Sequence, residues 1–504
     1  MRRAVLLLLA LLILAAGCSS SGGVRAAEEE ESPAPAELGP SSGASRSVAP
    51  SVPPLSWQPC GAFECATLQV PLDDDDLGGR QIGIALNRRR ATDQARRIGS
   101  LLINPGGPGA SGLDSLPDLL NRLSPGVKAR FDVIGFDPRG VGRSAPVRCL
   151  PGAELEAYFA VDPTPDDPAE RAALLRAVEG FAAGCQQRSG DLLPHVGTVD
   201  AARDLDRIRV AVGDEKLTYV GFSYGTALGT SYAEQFPDRV RALLLDGAID
   251  PSLDGPALSR VQGEGFDRAF AAFAADCRRR RSCSWRPAGG ASTAAFVALT
   301  ARIDARPVPA GTRRVGPSEL LLGVAAFLYS PDTWTALARG LAQLETGSGT
   351  IVLVGFDALT GRKPNGSFSN DQEANAAVSC VDRPAPRDPA AYERAAAAAA
   401  STAPAFGPAL AWGGVVCGLW PVPATGRPAP ANAPGTPPIL VVGTTNDPAT
   451  PFVWSEALAR QLPQGRLLRH EGEGHTAYGE NPCTTKIGDA YLLTLELPPD
   501  PLRC

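Results

Sequence analysis

One short segment of the sequence combines a potential nucleophile with the local geometry that would expose it. Residues 221–225 read GFSYG, between an apolar run at 217–220 and a helix-like stretch. In that context G-x-S-x-G places the serine on a sharp strand-to-helix turn, where small flanking residues relieve backbone crowding. The same pattern occurs at 39–43, but there a Pro/Ser-rich tract surrounds it. We therefore predict that Ser223 is a nucleophile.

Ser223 needs two partners, and the downstream sequence has a candidate for each. A serine becomes nucleophilic when a neighbouring base takes its proton, and a third group must hold the tautomer of that base. Asp447 follows an apolar run at 438–442, and His475 follows another at 466–469. The order serine, acid, histidine is the one that accompanies this type of turn. We predict a triad of Ser223, Asp447 and His475.

The alternatives for the acid and the base are few, because the chain has only three histidines. His470 lies at the end of a predicted strand and His195 lies in a loop, so we interpret both as structural or solvated. Asp447 has the competing interpretation of a turn aspartate before Pro448. We favour catalysis because Asp447 precedes His475 in the required order.

The tetrahedral intermediate of acyl transfer carries an oxyanion, which needs preorganised N–H donors worth about 3 kcal/mol each. One donor should be the backbone N–H of Tyr224, the residue after the predicted nucleophile. The other should come from the glycine loop at 106–107, which follows an apolar run at 99–103. Phosphate binding by that loop is disfavoured, because it contains neither G-x-G-x-x-G nor a P-loop lysine.

The pattern of apolar runs indicates the fold class. Within residues 57–250, short runs such as 131–136 and 241–245 alternate with helix-like segments. This alternation predicts an α/β fold with a doubly wound, mostly parallel sheet. The alternation stops over residues 251–437, which are largely helical and alanine-rich, and resumes at 438–504. We predict a helical cap between two parts of one core.

The N-terminus has the features of an export signal. Residues 1–17 contain two arginines and an apolar stretch too short to span a bilayer, and end in LAAG before Cys18. This resembles the lipobox of bacterial lipoproteins, with Cys18 as the lipidated residue. The alternative is ordinary signal-peptide cleavage with Cys18 incidental. Residues 18–56 are rich in Ser, Gly, Ala, Pro and Glu, which predicts a disordered tether. We therefore expect a protein anchored in the cell envelope, on the outer side of the cytoplasmic membrane, or a secreted one.

The ten cysteines that remain after Cys18 favour disulfides outside the cytoplasm. Sequence alone does not fix their connectivity. The simplest proposal pairs neighbours along the chain, as 60–65, 149–185, 277–283, 380–417 and 483–504. No C-x-x-C or histidine-rich pattern suggests zinc, and we expect no metal or cofactor.

Charge patterning gives little support to other classes of function. The net charge of −6 provides no general attraction for nucleic acid. The arginine run at 278–281 is interpreted as a solvated helix end or loop. The acidic cluster at 73–76 does not have the spacing of an EF-hand loop, so an exposed turn explains it better than calcium binding.

Several motifs together resemble the tripeptidyl aminopeptidase-like branch of the α/β-hydrolase peptidases, relatives of prolyl aminopeptidases. They are NPGGPG at 104–109, GFDPRG at 135–140, GFSYGT at 221–226, LDG at 245–247, DP at 447–448 and GEGH at 472–475, with Cys483 and Cys504 resembling the C-terminal region of that branch. The resemblance implies Ser223, Asp447 and His475 as the triad and Gly107 as an oxyanion donor. It implies removal of short peptides or single residues from a free N-terminus. Prolyl aminopeptidases usually carry a histidine before the Gly-Gly pair, where this chain has Asn104-Pro105. This departure favours the tripeptidyl branch and leaves proline specificity open.

Two other functions stay open on the sequence alone. An esterase or lipase would share the triad, and a non-catalytic envelope lipoprotein would not need it. An aminopeptidase must also bind the substrate ammonium, for which Glu373 and Asp382 are candidates. The alternative for both is a solvent-facing or helix-capping acid.

Overall fold

The computed structural model describes residues 54–504. The predicted signal peptide at 1–17, Cys18 and most of the tether predicted at 18–56 therefore lie outside the described residues. Among the helices of the described part, none has the length and apolar character needed to cross a membrane.

A ten-stranded sheet forms the centre of the described chain, with strands in the order β1-β2-β3-β5-β4-β6-β7-β10-β11-β12. Its first three pairings are antiparallel, and the pairings from β5 onward are parallel. A separate two-stranded hairpin is formed by β8 and β9. The strands are β1 (Gln58–Cys60), β2 (Phe63–Pro71), β3 (Gln81–Arg89), β4 (Gly99–Asn104), β5 (Phe131–Phe136), β6 (Leu217–Phe222), β7 (Val240–Asp246), β8 (Val308–Ala310), β9 (Arg313–Val315), β10 (Ile439–Asn446), β11 (Gly465–Glu473) and β12 (Leu502–Arg503).

The central strands are apolar because helices cover both of their faces. Every residue of β4, β5 and β6 is buried, which accounts for their continuous apolar runs. β11 extends to Glu473, beyond the apolar run at 466–469, because Glu473 pairs with Asn446 of β10. His475 therefore follows the strand after a single glycine. The predicted α/β fold with a mostly parallel sheet is confirmed.

Seventeen α-helices surround the sheet in the described residues. Many begin at a side chain that accepts a first-turn N–H, as Ser111, Asp167, Asp254, Ser292 and Asn481 do. They are α1 (Gly112–Arg122), α2 (Pro125–Arg130), α3 (Gly152–Phe159), α4 (Pro168–Ser189), α5 (Thr198–Ala211), α6 (Tyr224–Gln235), α7 (Gly255–Arg279), α8 (Thr293–Ala305), α9 (Pro317–Leu328), α10 (Trp334–Glu345), α11 (Thr350–Thr360), α12 (Asp371–Asp382), α13 (Pro389–Thr402), α14 (Gly407–Gly413), α15 (Val415–Gly418), α16 (Phe452–Gln461) and α17 (Pro482–Thr494).

Between β7 and β10 the regular elements are helices and the β8–β9 hairpin, while residues 419–438 form neither helix nor strand. Part of this segment packs around its own aromatic cluster, which includes Phe266, Phe270 and Phe406. Another part, including Val378 of α12 and Trp412 of α14, shares a hydrophobic cluster with the sheet. The division into a core at 57–250 and 438–504 and a cap at 251–437 stays a prediction, since the helical segment and the sheet bury side chains together.

Five disulfide bonds join the ten cysteines of the described residues. They link neighbours along the chain, so the simplest predicted pairing is confirmed. Cys380–Cys417 joins α12 to α15, and Cys483–Cys504 holds the C-terminus against α17. The first bond restrains α12, which contacts the glycine loop after β4.

Candidate active site

Ser223 occupies the turn between β6 and α6 in a conformation that non-glycine residues rarely adopt. Its φ is 56° and its ψ is −122°. The backbone N–H of Ser223 donates to the carbonyl of Asp246 at 2.8 Å. Its own carbonyl accepts from the N–H of Thr226 at 2.8 Å and from the Thr226 hydroxyl at 2.6 Å. These bonds hold the serine at the carboxyl end of the central strands.

The two glycines of the motif are explained by close backbone packing. A Cβ on Gly221 would lie 2.3 Å from the carbonyl oxygen of Gly225. A Cβ on Gly225 would lie 3.0 Å from both the backbone and the side-chain oxygen of Asn104. Larger residues at either position would therefore push the turn away from β6 or from the end of β4.

The Ser223 hydroxyl is buried and free of protein hydrogen bonds. The residue is 3 % exposed, and its Oγ has no partner among residues 54–504. Buried hydroxyls are nearly always hydrogen-bonded, so an unpartnered one is unusual. Catalytic hydrogen bonds are often long when no substrate is bound.

Asp447 and His475 form a buried pair. The Nδ1 atom of His475 lies 2.9 Å and 2.8 Å from the two carboxylate oxygens of Asp447. The carboxylate also accepts the N–H groups of Ala449 and Thr450, at 2.9 and 2.8 Å. Asp447 is 1 % exposed and His475 8 %. With Nδ1 turned to Asp447, the other ring nitrogen, Nε2, is left to act as the base.

Asp246 and Gly247, at the end of β7, connect the serine turn with the loop that carries His475. The carbonyl of Asp246 binds Ser223, while its Oδ2 accepts the N–H groups of Ala477 and Tyr478 at 2.8 and 2.7 Å. A Cβ on Gly247 would lie 3.1 Å from Cε1 of His475. The structure thus brings the predicted serine, acid and histidine to one edge of the sheet. No hydrogen bond joins Ser223 Oγ to His475 among the described atoms.

Asp246 is a site residue whose role the sequence did not indicate beyond the LDG motif. It is fully buried, and its Oδ1 has no partner within residues 54–504. Burial raises the pKa of its carboxyl to about 6, and hydrogen bonds from the backbone N–H groups of Tyr478 and Ala477 oppose that rise.

The glycine loop after β4 lies directly against the serine turn. Gly106 has a φ of 102°, and a Cβ there would lie 2.5 Å from the carbonyl oxygen of Phe222. Its N–H is taken by the Asn104 side chain at 2.9 Å. In the described part of the chain, the N–H groups of Gly107 and Tyr224 donate to no protein acceptor. Both therefore stay available as the predicted oxyanion donors.

The helical segment between β7 and β10 also contacts the site. The carbonyl of Tyr329, just after α9, accepts the N–H of His475 at 2.8 Å, and the Tyr329 ring meets the imidazole edge-on at 5.2 Å. On the other side, Asn375 of α12 donates to the carbonyl of Pro108 at 3.0 Å. No sequence pattern indicates either contact, because both join residues more than a hundred positions apart.

The two candidates for binding a substrate ammonium are already engaged. Glu373 accepts the N–H groups of Cys149 and Leu150. Asp382 accepts the N–H of Thr198, in the first turn of α5, at 2.7 Å. Asp382 thus caps α5, as the alternative holds, whereas Glu373 is buried and binds the segment before α3. Because backbone N–H groups occupy both carboxylates, the amine-binding hypothesis for them is not retained.

The other two histidines lie away from the pair. His470 lies within β11, where its ring packs against Gly472, and His195 lies in the short turn before α5. The carbonyl of His195 accepts from Arg139 at 2.9 Å. Within the described residues, neither ring is hydrogen-bonded to Asp447.

Two acidic clusters outside the active site were considered as metal sites. Asp74, from the cluster for which calcium was considered, pairs with Arg203 and Arg207. Carboxylates of Asp162, Glu170 and Asp304 approach one another within 4.8 Å, but such acidic groups are common without an ion. We assign no metal to them.

Comparison with known proteins adds to this geometry. Residues 99–482 match a family model described as the alpha/beta hydrolase fold. Serine protease Hip1 of Mycobacterium tuberculosis (strain ATCC 25618 / H37Rv) is 37% identical, over 90% of this chain and 91% of that protein. Carboxylesterase B of the same strain is 39% identical, over 92% of each chain. Tripeptidyl aminopeptidase of Streptomyces lividans is 33% identical, over 87% of this chain and 84% of that protein.

Asp246→Asn tests the burial of this carboxyl. A pKa raised to about 6 means that the folded protein favours the neutral carboxyl more than the unfolded chain does. The free energy of unfolding therefore falls as the pH rises from about 4 through 6. The asparagine variant lacks this loss. Its free energy of unfolding, relative to wild type, should increase by about 2 kcal/mol between pH 4 and pH 7. Urea unfolding at both pH values measures this, and an unchanged difference would contradict the assignment.

Proposed function

The chain belongs to the α/β-hydrolase family, and we propose that it is an exported serine exopeptidase that cleaves peptide bonds near free N-termini. It is a serine hydrolase. The single observation that carries the serine-hydrolase chemistry is the buried Asp447–His475 pair at the same end of the sheet as the unpartnered hydroxyl of Ser223.

The proposed reaction passes through an acyl-enzyme. Ser223 Oγ attacks the scissile carbonyl carbon while Nε2 of His475 takes the hydroxyl proton, and Asp447 stabilises the imidazolium that forms. The N–H groups of Gly107 and Tyr224 receive the oxyanion. His475 then protonates the leaving amine as the C–N bond breaks. Water, deprotonated by the same nitrogen, then attacks the ester carbonyl. The C–O bond to Ser223 breaks as His475 returns the proton to Oγ, which releases the acyl group as a carboxylic acid.

The names of the relatives support peptides as the substrate class. One relative is named a serine protease and another a tripeptidyl aminopeptidase, and this chain covers most of both. The relative named carboxylesterase B is 39% identical, which makes ester hydrolysis the second candidate. Both reactions use the same triad, so the substrate assay must include both bonds.

Mass spectrometry of products from a mixed peptide library tests the proposed activity. Wild-type protein should release short N-terminal peptides or single residues, and acetylating the substrate amine should abolish release. Ser223→Ala should lower the rate by at least about 10⁴-fold, since the nucleophile is lost. Ser41→Ala, at the same pattern in residues 39–43, is the matched control and should retain full activity.

Each contrary result has a distinct meaning. Undiminished cleavage of acetylated peptides would contradict exopeptidase activity. Hydrolysis of p-nitrophenyl esters without any peptide cleavage would favour the esterase. An active Ser223→Ala enzyme would remove the triad from the proposal.

We further propose that Cys18 carries a lipid that holds the enzyme on the outer side of the cytoplasmic membrane. The small residues before Cys18 and the five disulfides support export to an oxidising compartment. Several acyl chains on one residue would anchor the protein stably. The partners we expect are this membrane and a peptide or protein substrate, with no nucleic acid.

Cell fractionation of a Cys18→Ala variant tests the anchor. Wild-type protein should sediment with membranes and incorporate radiolabelled fatty acid. Cys18→Ala should lose the label and leave the membrane fraction, while Ser20→Ala should behave as wild type. An unlabelled wild-type protein, or a Cys18→Ala protein that still sediments, would contradict lipidation at Cys18.

A further inference from the structure

A largely apolar cavity of about 130 Å³ lies among the helices, between α3 and α4 on one side and α9, α11 and α14 on the other. Aromatic and aliphatic side chains form most of its wall, including Tyr158, Phe159, Leu321, Leu359, Phe406 and Trp412. No Asp, Glu, Lys, Arg or His side chain lines it.

Three polar side chains in the wall are satisfied by neighbouring backbone. Ser318 donates to the carbonyl of Phe159 at 2.5 Å, Thr360 to that of Phe356 at 2.9 Å, and Gln372 to that of Leu359 at 2.8 Å. Tyr158 and Trp412 add a hydroxyl and an indole N–H, so the wall has few hydrogen-bonding groups and no charged one. An apolar protein cavity of about 150 Å³ stays dry and accepts benzene. This cavity therefore has the size and chemistry for one hydrocarbon side chain.

A series of aromatic contacts connects the cavity wall with the histidine side of the active site. Phe406, in the cavity wall, packs against Phe266 with ring centroids 5.5 Å apart. Phe266 contacts Tyr329 at 6.0 Å, and Tyr329 contacts His475 at 5.2 Å. The wall is thus separated from the imidazole by two side chains.

The cavity also reaches the glycine loop, at its other end. Gln372 lines the cavity, and the residue before it, Asp371, packs against Gly109. A Cβ on Gly109 would lie only 2.1 Å from the carbonyl oxygen of Asp371. Gly109 belongs to the same loop as Gly106 and Gly107, which lies against Ser223. The cavity wall is therefore two side chains from the base, and it adjoins the loop that carries one predicted oxyanion donor.

We propose that this cavity is a specificity subsite that takes a large apolar side chain from the part of the peptide N-terminal to the scissile bond. The proposal rests on the peptidase function above and names the substrate class. A hydrophobic subsite discriminates by about tenfold or more for each methylene that it accommodates or excludes. The enzyme should therefore prefer Leu or Phe to Ala at one of the first three substrate positions.

The test compares kcat/KM for fluorogenic tripeptide amides in which each position in turn is Ala, Leu or Phe. Wild type should favour Leu or Phe over Ala by about tenfold or more at one position. Ala409 lines the cavity, so Ala409→Leu should lower that ratio about tenfold by filling it. Leu322→Ala, which enlarges the cavity, should raise the ratio of naphthylalanine to Phe.

Ala336→Leu is the matched control. Ala336 and Ala409 are both partly buried alanines that pack against the same aromatic cluster, but only Ala409 lines the cavity. Ala336→Leu should keep the wild-type ratio. Thermal unfolding of the three variants separates misfolding from a change in specificity, and Leu322→Ala tests the cavity if Ala409→Leu does not fold.

The outcomes separate this inference from the proposed function. The subsite would be overturned if wild type shows no preference for apolar side chains. It would also be overturned if Ala409→Leu and Leu322→Ala both fold and both keep the wild-type preference. If the wild type cleaves esters but no peptides, the peptidase function fails instead. In that case the ratio of kcat/KM for p-nitrophenyl hexanoate to that for p-nitrophenyl acetate tests the cavity. A lower ratio in Ala409→Leu supports a subsite for an apolar chain, and an unchanged ratio overturns it.

Discussion

The strained turn at Ser223 is the constraint on which the rest of the site depends. A serine at a φ of 56° is disfavoured by about 1–3 kcal/mol, so the conformation persists only where its surroundings impose it. Here they do so through the carbonyl of Asp246, through Thr226 and through glycines that admit no side chain. The resulting turn presents a buried hydroxyl at the point where several strands end.

The partners of Ser223 depend on the same few contacts. One carboxylate oxygen of Asp246 accepts two N–H groups from the loop after His475, and its backbone carbonyl accepts the N–H of Ser223. One residue therefore sets the positions of both the serine and the histidine loop. The carbonyl of Tyr329 adds a bond from the helical segment to His475. The helical segment therefore helps to hold the base in position.

The sequence could predict what depends on local pattern. The alternating apolar runs indicated the α/β fold, the five cysteine pairs followed chain order, and the motif around Ser223 with Asp447 and His475 downstream indicated the site. It could not predict contacts between distant segments. The LDG motif marks Asp246 without showing what its carboxylate binds, and Tyr329 reads as an ordinary helix end. The backbone partners of Glu373 and Asp382 likewise lie far along the chain from these carboxylates.

The central claim is that the buried Asp447–His475 pair activates Ser223. The most direct test is labelling by a fluorophosphonate probe, followed by mass mapping of the modified peptide. The account predicts an adduct on Ser223 in wild type, and labelling slower by about 10³–10⁴-fold in Asp447→Asn, because the imidazole then loses its tautomer. An adduct on another serine, or equal labelling rates in the two proteins, would contradict it.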